Sequence, residues 1–135
     1  MSISTHISFE EATQSPTAKR LGIDNTPTPD ILINMKRVAV TCFEPLRNWY
    51  KKPIKINSFY RCTLLNNAVG GSKTSQHCKG EAIDMSGGSK EENKKIFDWC
   101  KANLVFDQLI NEYDYSWIHI SFRLTDNRNQ VLAIT

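Results

Sequence analysis

The sequence predicts an α+β fold, with N-terminal helices packed on a mostly antiparallel sheet. Three observations carry that expectation. Helix caps and helical periodicity crowd residues 1–50. Short alternating segments bounded by turn formers fill most of residues 51–135. The order, helices first and most strands later, is that of an α+β chain rather than a βαβ repeat.

The elements are taken from the N-terminus onward. Ser8-Phe9-Glu10-Glu11 is a capping box, serine at the N-cap and glutamate three residues on, so a short helix should run to about Ser15-Pro16. RLGIDNTPTPD reads as a loop of turn formers. Thr28 then caps a longer helix, with Pro29 at its first position and Asp30 near the positive end of the dipole. Met35, Val38, Cys42, Leu46 and Trp49 recur at three- and four-residue spacing and should form its buried stripe. KPIKINSFY alternates with Ile54 and Ile56 on one face, a strand. RCTLLNNAVGG gives a helical turn stopped by Gly70-Gly71, and EAIDM a short strand. Ser89-Lys90-Glu91-Glu92 is a second capping box, opening a helix to about Asn103 with Ile96, Phe97 and Cys100 inward. FDQLIN, WIHISF and QVLAIT are the remaining strands, and NEYDYS is the tip of a hairpin.

The bulk numbers exclude several classes. A chain of 135 residues, 40% apolar and 23% charged, can bury one core, so residues 1–135 are read as one domain. Within it, 1–50 are mainly helical and 51–135 form the sheet. No apolar run approaches a membrane span, so no membrane insertion is expected. MSISTHISFEE has neither a basic start nor an apolar core and is not expected to be a secretory signal, which points to synthesis in the cytoplasm. Seventeen basic against 14 acidic side chains give a net charge of +3. Lys51-Lys52 and Lys94-Lys95 are too short to form a nucleic-acid footprint. Cys42, Cys62, Cys78 and Cys100 include no C-x-x-C pair, which excludes a cysteine zinc knuckle. With no secretory signal expected, reduced thiols are favoured over a Cys62–Cys78 disulfide. A monomer is the expectation at this size. No internal repeat or low-complexity segment is present.

Strand parity isolates the chemistry. In WIHISF, Ile118, Ile120 and Phe122 share one face, while Trp117, His119 and Ser121 share the other. In EAIDM, Asp84 points opposite to Ile83 and Met85. If the aliphatic faces cover the helices, His119 and Asp84 project from the other side of the sheet. His77 sits in the turn before one of these strands. Two imidazoles and one carboxylate meeting there would form a three-ligand metal site with an open position. On spacing alone, His77 and Asp84 also fit a plain turn entering a strand, and His119 a satisfied sheet histidine. His6, near the terminus, receives no role.

SQHCKGEAIDM followed by WIHIS resembles the zinc D-Ala-D-Ala carboxypeptidase-like peptidases, family M15, with their SxHxxGxAxD motif and later W-x-H-x-S. The likeness extends through ISFEEATQSPTAKRLGIDNTPTPDILINMK, FEPLR and INSFYRCTLLNNAVGGSKTSQH to nearly the whole chain, and looks like the small single-domain branch common in phage genomes. The resemblance implies a hedgehog- or DD-peptidase-like fold and Zn2+ held by His77, Asp84 and His119. It implies that Arg61, in SFYR, holds a substrate carbonyl or carboxylate, and that Ser75 braces the site. Phe59 stands where the family usually has glycine. An acid often found three residues before the last histidine is here Ser116, so Glu112 is expected as general base, with Asp114 next. Gln108 is assigned to substrate binding. The implied substrate is a peptidoglycan stem peptide, cut by an endolysin that reaches the cell wall after holin-type release. The alternative is a zinc-containing binding module of the same fold, since the hedgehog signalling domain looks like this fold without established peptidase action.

Overall fold

The computed structural model describes residues 2–135. Ser2–Ser4 (β1) and Ile7–Ser8 (β2) form a small antiparallel ribbon. Phe9–Thr13 (α1) comes next, and both halves of the Ser8–Glu11 capping box are present. The chain then makes a second helix not expected from the sequence, Pro16–Leu21 (α2), whose last two residues enter the stretch expected as a loop. Ser15 caps it through the Ala18 N–H and Pro16 takes its first turn, so Ser15-Pro16 starts a helix as well as ending one. Gly22, at φ 69°, closes it in the left-handed region.

Pro29–Val38 (α3) begins at the Thr28 cap as expected. It runs through a π-helical turn, Ala39–Phe43, into Glu44–Tyr50 (α4). Pro45 cannot donate to the helix and crowds the carbonyl before it, and the wider turn ahead of it relieves both problems. The extra residue also rotates α4 relative to α3. Met35, Val38, Cys42 and Leu46 are buried, but Tyr50 takes the next inward position. Trp49, expected in that stripe, is 43% exposed and stacks on Trp99 at 5.2 Å between ring centroids.

Lys55–Ser58 (β3), Thr63–Ala68 (α5), Ala82–Ser86 (β4), Lys90–Asn103 (α6), Gln108–Glu112 (β5), Trp117–Ser121 (β6) and Gln130–Ile134 (β7) complete the chain. Ser89 caps α6, but the Glu92 carboxylate turns to Tyr50 and Lys52 instead of closing the second capping box. The main sheet has the order β3-β4-β6-β5-β7; β7 runs parallel to β5 and the other pairings are antiparallel.

The core lies between one face of this sheet and helices α3, α4 and α6. Ile83 and Met85 of β4, Leu109 of β5, and Ile118 and Ile120 of β6 are fully buried there, with Ile96 and Cys100 of α6 against them. A buried aliphatic side chain of this size contributes ~2 kcal/mol. Alternation therefore forces Asp84, His119, Ile110 and Glu112 onto the opposite face. All four cysteines are free thiols, and burial pushes the Cys42 thiol up to about 12. No helix among the described residues is long and apolar enough to cross a membrane.

Candidate metal and catalytic site

Two neighbouring strands and one short turn build the site. Asp84 in β4 and His119 in β6 are direct cross-strand partners. Asp84 Oδ1 lies 2.8 Å from His119 Nδ1, and Oδ2 lies 3.1 Å from His77 Nε2. His77 comes from a 3-10 turn, Gln76–Lys79, which Ser75 caps by accepting the His77 N–H. That turn ends at Gly80, φ 72°, the left-handed conformation that glycine adopts freely. A Cβ there would stand 2.7 Å from Met35 Cγ and 2.9 Å from the Ile31 carbonyl, so glycine also lets the turn sit on α3. One donor atom from each of His77, Asp84 and His119 lies within 4.8 Å of the others.

Phe59 has a double role. Its ring is in the core, 1% exposed, and its carbonyl accepts a 2.7 Å hydrogen bond from His77 Nδ1. The same stretch is tied back where the Arg61 N–H donates to the His77 carbonyl. A carbonyl only accepts, so His77 carries a proton on Nδ1 and can present the Nε2 lone pair to Asp84. A lone pair and a carboxylate oxygen 3.1 Å apart repel unless a cation or a further proton joins them. The set of two imidazoles and one carboxylate therefore fits a divalent metal ion. Burial alone would raise the Asp84 carboxyl, but the His77 and His119 imidazoles overcome this and hold it well below the usual carboxylate range.

The triad lines a cleft of about 620 Å³. Glu112 lines it too, because Ile110 is opposite His119 and Glu112 opposite Trp117. Trp117 Nε1 donates to Glu112 Oε2 at 2.9 Å and orients the carboxylate. Burial, and then the Asp84 charge, raise the Glu112 pKa, against the pull of His119 and the Trp117 bond. The turn beyond Glu112 places Tyr113, Asp114 and Tyr115 in the left-handed region. Asn111 Oδ1 and the Ile134 carbonyl hold that turn by accepting the N–H groups of Tyr115 and Tyr113. Asp114 faces away from the cleft and pairs with Lys90 at 2.6 Å in solvent.

Arg61 lines the cleft, and its Nη2 donates to Ser75 Oγ at 3.3 Å, so Ser75 touches both the His77 turn and the arginine. Arg61 Nε is buried without a partner among the described residues. Gln108 lines the same cleft, its Nε2 donating to Gln130. The structure thus brings together His77, Asp84, His119, Glu112, Arg61, Ser75 and Gln108, and leaves Asp114 outside. His6 pairs with Glu44 at 2.6 Å, away from the site. The indole of Trp117 as the partner of Glu112, and Arg128 as a cleft residue, were not picked out from sequence. Parity already put Trp117 on the face of His119, whereas Arg128 sits in a turn with no motif.

A sheet and an adjoining turn that together bring two imidazoles and a carboxylate beside a half-buried glutamate, all in one cleft, have the make-up of a metal-dependent hydrolase. Comparison with known families makes the class specific. The Peptidase M15 model matches residues 5–121, and the chain belongs to the peptidase M15 family, which is metal-dependent. A search of curated proteins found no match.

Proposed function

We propose that the protein is a zinc metallopeptidase that hydrolyses an amide bond in the stem peptides of peptidoglycan. The observation that carries this reading is the convergence of His77, Asp84 and His119 on one point beside Glu112. Zinc in such a donor set would polarise the scissile carbonyl and lower the pKa of water toward ~7. The residues of the chain supply the rest. Glu112, its proton affinity raised by burial, takes the proton of the attacking water and returns it to the leaving amine. Arg61 offers donors to the substrate carbonyl or carboxylate, and its orphaned Nε is the kind of group a substrate would satisfy. Ser75 positions both Arg61 and the His77 turn.

Stem peptides bear free carboxylates, which suit the cleft arginines and the net positive chain. Together with the resemblance to the phage branch of the family, this supports an endolysin role, with access to the wall by holin-type release. The test is Glu112→Ala: lysis of permeabilised cells should be lost while one zinc per chain stays bound. Full lysis by that variant would refute the role of Glu112.

A zinc-containing binding module is the second reading. It is favoured by Ser116, whose hydroxyl donates to the Tyr113 carbonyl and which puts no acid where relatives often have one. Glu112 in the cleft argues against it. Bound zinc without new amine termini on isolated sacculi would support the binding module.

A further inference from the structure

The segment joining β6 to β7 lies beyond residues 5–121, which match the family, yet it walls part of the cleft. Its Arg128 lines the cleft beside Gln108. The guanidinium is fixed from behind by Asp107, which is fully buried. Nε donates to Asp107 Oδ1 at 2.9 Å, Nη2 to Oδ2 at 2.7 Å, and the Arg128 N–H to Oδ1 at 3.1 Å. This fork uses two of the five guanidinium donors. The side chain is 48% exposed, and the other donors have no partner among the described residues.

The surrounding loop is itself pinned. The Asn127 side chain bonds both the N–H and the carbonyl of Arg123 at 2.8 Å, and Asn129 Oδ1 accepts the Phe106 N–H at 3.1 Å. Arg123 Nη2 also approaches Asp107, at 3.2 Å, so one buried carboxylate faces two guanidinium groups and this end of the cleft stays positive. Glu112 lies farther along β5, with Ile110 between it and Gln108 on the same face.

Sheet order gives the spacing. Arg61 comes after β3, the triad is carried at β4 and β6, and Arg128 leads into β7, two strands past β6. Two strand spacings are ~10 Å, the reach of about three extended residues. We propose that Arg128 is a specificity-determining residue that binds a carboxylate of the peptide substrate, about two to three residues from the scissile bond. This rests on the metallopeptidase reading and specifies its substrate class: a peptide with an anionic group on the β7 side of the cleft. A guanidinium already held in plane suits a planar carboxylate, and holding it there removes an ordering cost from binding.

The experiment uses synthetic stem peptides in which one carboxylate at a time is converted to its amide. Turnover by the zinc-loaded protein and calorimetric binding of the same peptides are both measured. For wild type, one amidation should lower kcat/KM and affinity about 10-fold. Arg128→Gln should lose about 10-fold on the free carboxylate, mainly in KM, and no longer distinguish that pair. Arg128→Lys, which keeps the charge and an ion pair to Asp107, should be intermediate and covers the case of a poorly folded glutamine variant. An unchanged carboxylate-to-amide ratio in both folded variants, or no such preference in wild type by either readout, overturns the proposal. Carboxylate-selective binding that depends on Arg128 without any turnover would sink the peptidase reading and leave the Arg128 site standing.

Discussion

Asp84 and His119 face each other across β4 and β6, with Asp84 Oδ1 2.8 Å from His119 Nδ1. The carboxylate reaches His77 with its other oxygen, so a single acid bridges two imidazoles. Asp84→Asn keeps the shape and removes the anion. Metal affinity should fall at least ~100-fold, more than the roughly 10–100-fold typical of losing an outer partner. Competition against a chromogenic chelator measures it, and near-native affinity would show that Asp84 is not a ligand.

Metal removal should destabilise the fold, because the three donors come from separate parts of the chain. With free zinc at about 1,000 times Kd, binding contributes about 4 kcal/mol, a shift in Tm on the order of 10 °C. Scanning calorimetry with and without a chelator reads this. Identical melting curves would mean that the folded protein does not hold the ion.

The two faces of the sheet should respond differently to truncation. Ile120→Ala opens a cavity in the core and should cost about 2–5 kcal/mol in urea unfolding while the zinc stoichiometry stays at one. His119→Ala, one residue away, should change chelated stability little and abolish tight zinc binding. The opposite pattern would mean that the faces are exchanged.

The Asp107–Arg128 pair predicts an acid-dependent contribution to stability. The hydrogen bonds from Arg128 hold the buried Asp107 carboxyl at about 2, below its unfolded value of ~3.9. The folded state therefore binds this proton less readily than the unfolded state. The contribution, about 2 kcal/mol, is fully present above pH ~4 and is lost as pH falls through about 2. In chelated protein, the stability gap between wild type and Arg128→Gln should be larger at pH ~6 than at pH ~2.5. Urea titrations at the two pH values measure it, and a gap independent of pH would contradict the assignment.

Much of the fold and site could be read in the sequence, for local reasons. The Ser8 and Thr28 caps act within one turn, and the alternation in EAIDM and WIHIS decides by itself that Asp84 and His119 share a face. Glu112 joins them by the same parity once β5 pairs with β6 in register. What was missed depends on less local effects. Ser15-Pro16 can end one helix and cap the next, and the sequence does not show that both happen. The π-turn before Pro45 shifts the helical phase by one residue, which exposes Trp49 and buries Tyr50. The parallel pairing of β7 with β5 is absent from either strand's own pattern. Arg128 reaches the cleft only because that pairing and the buried Asp107 place it there. Asp114 is two residues from Glu112, but the left-handed turn sends it to Lys90 in solvent.

Mass spectrometry of muropeptides released from isolated sacculi tests the metal-dependent hydrolase account most directly. The protein is compared as purified, after chelation, and after zinc is restored. New amine termini at one bond type should appear, vanish with the chelator and return with zinc. One zinc per chain and no new termini under any of the three conditions would contradict the account.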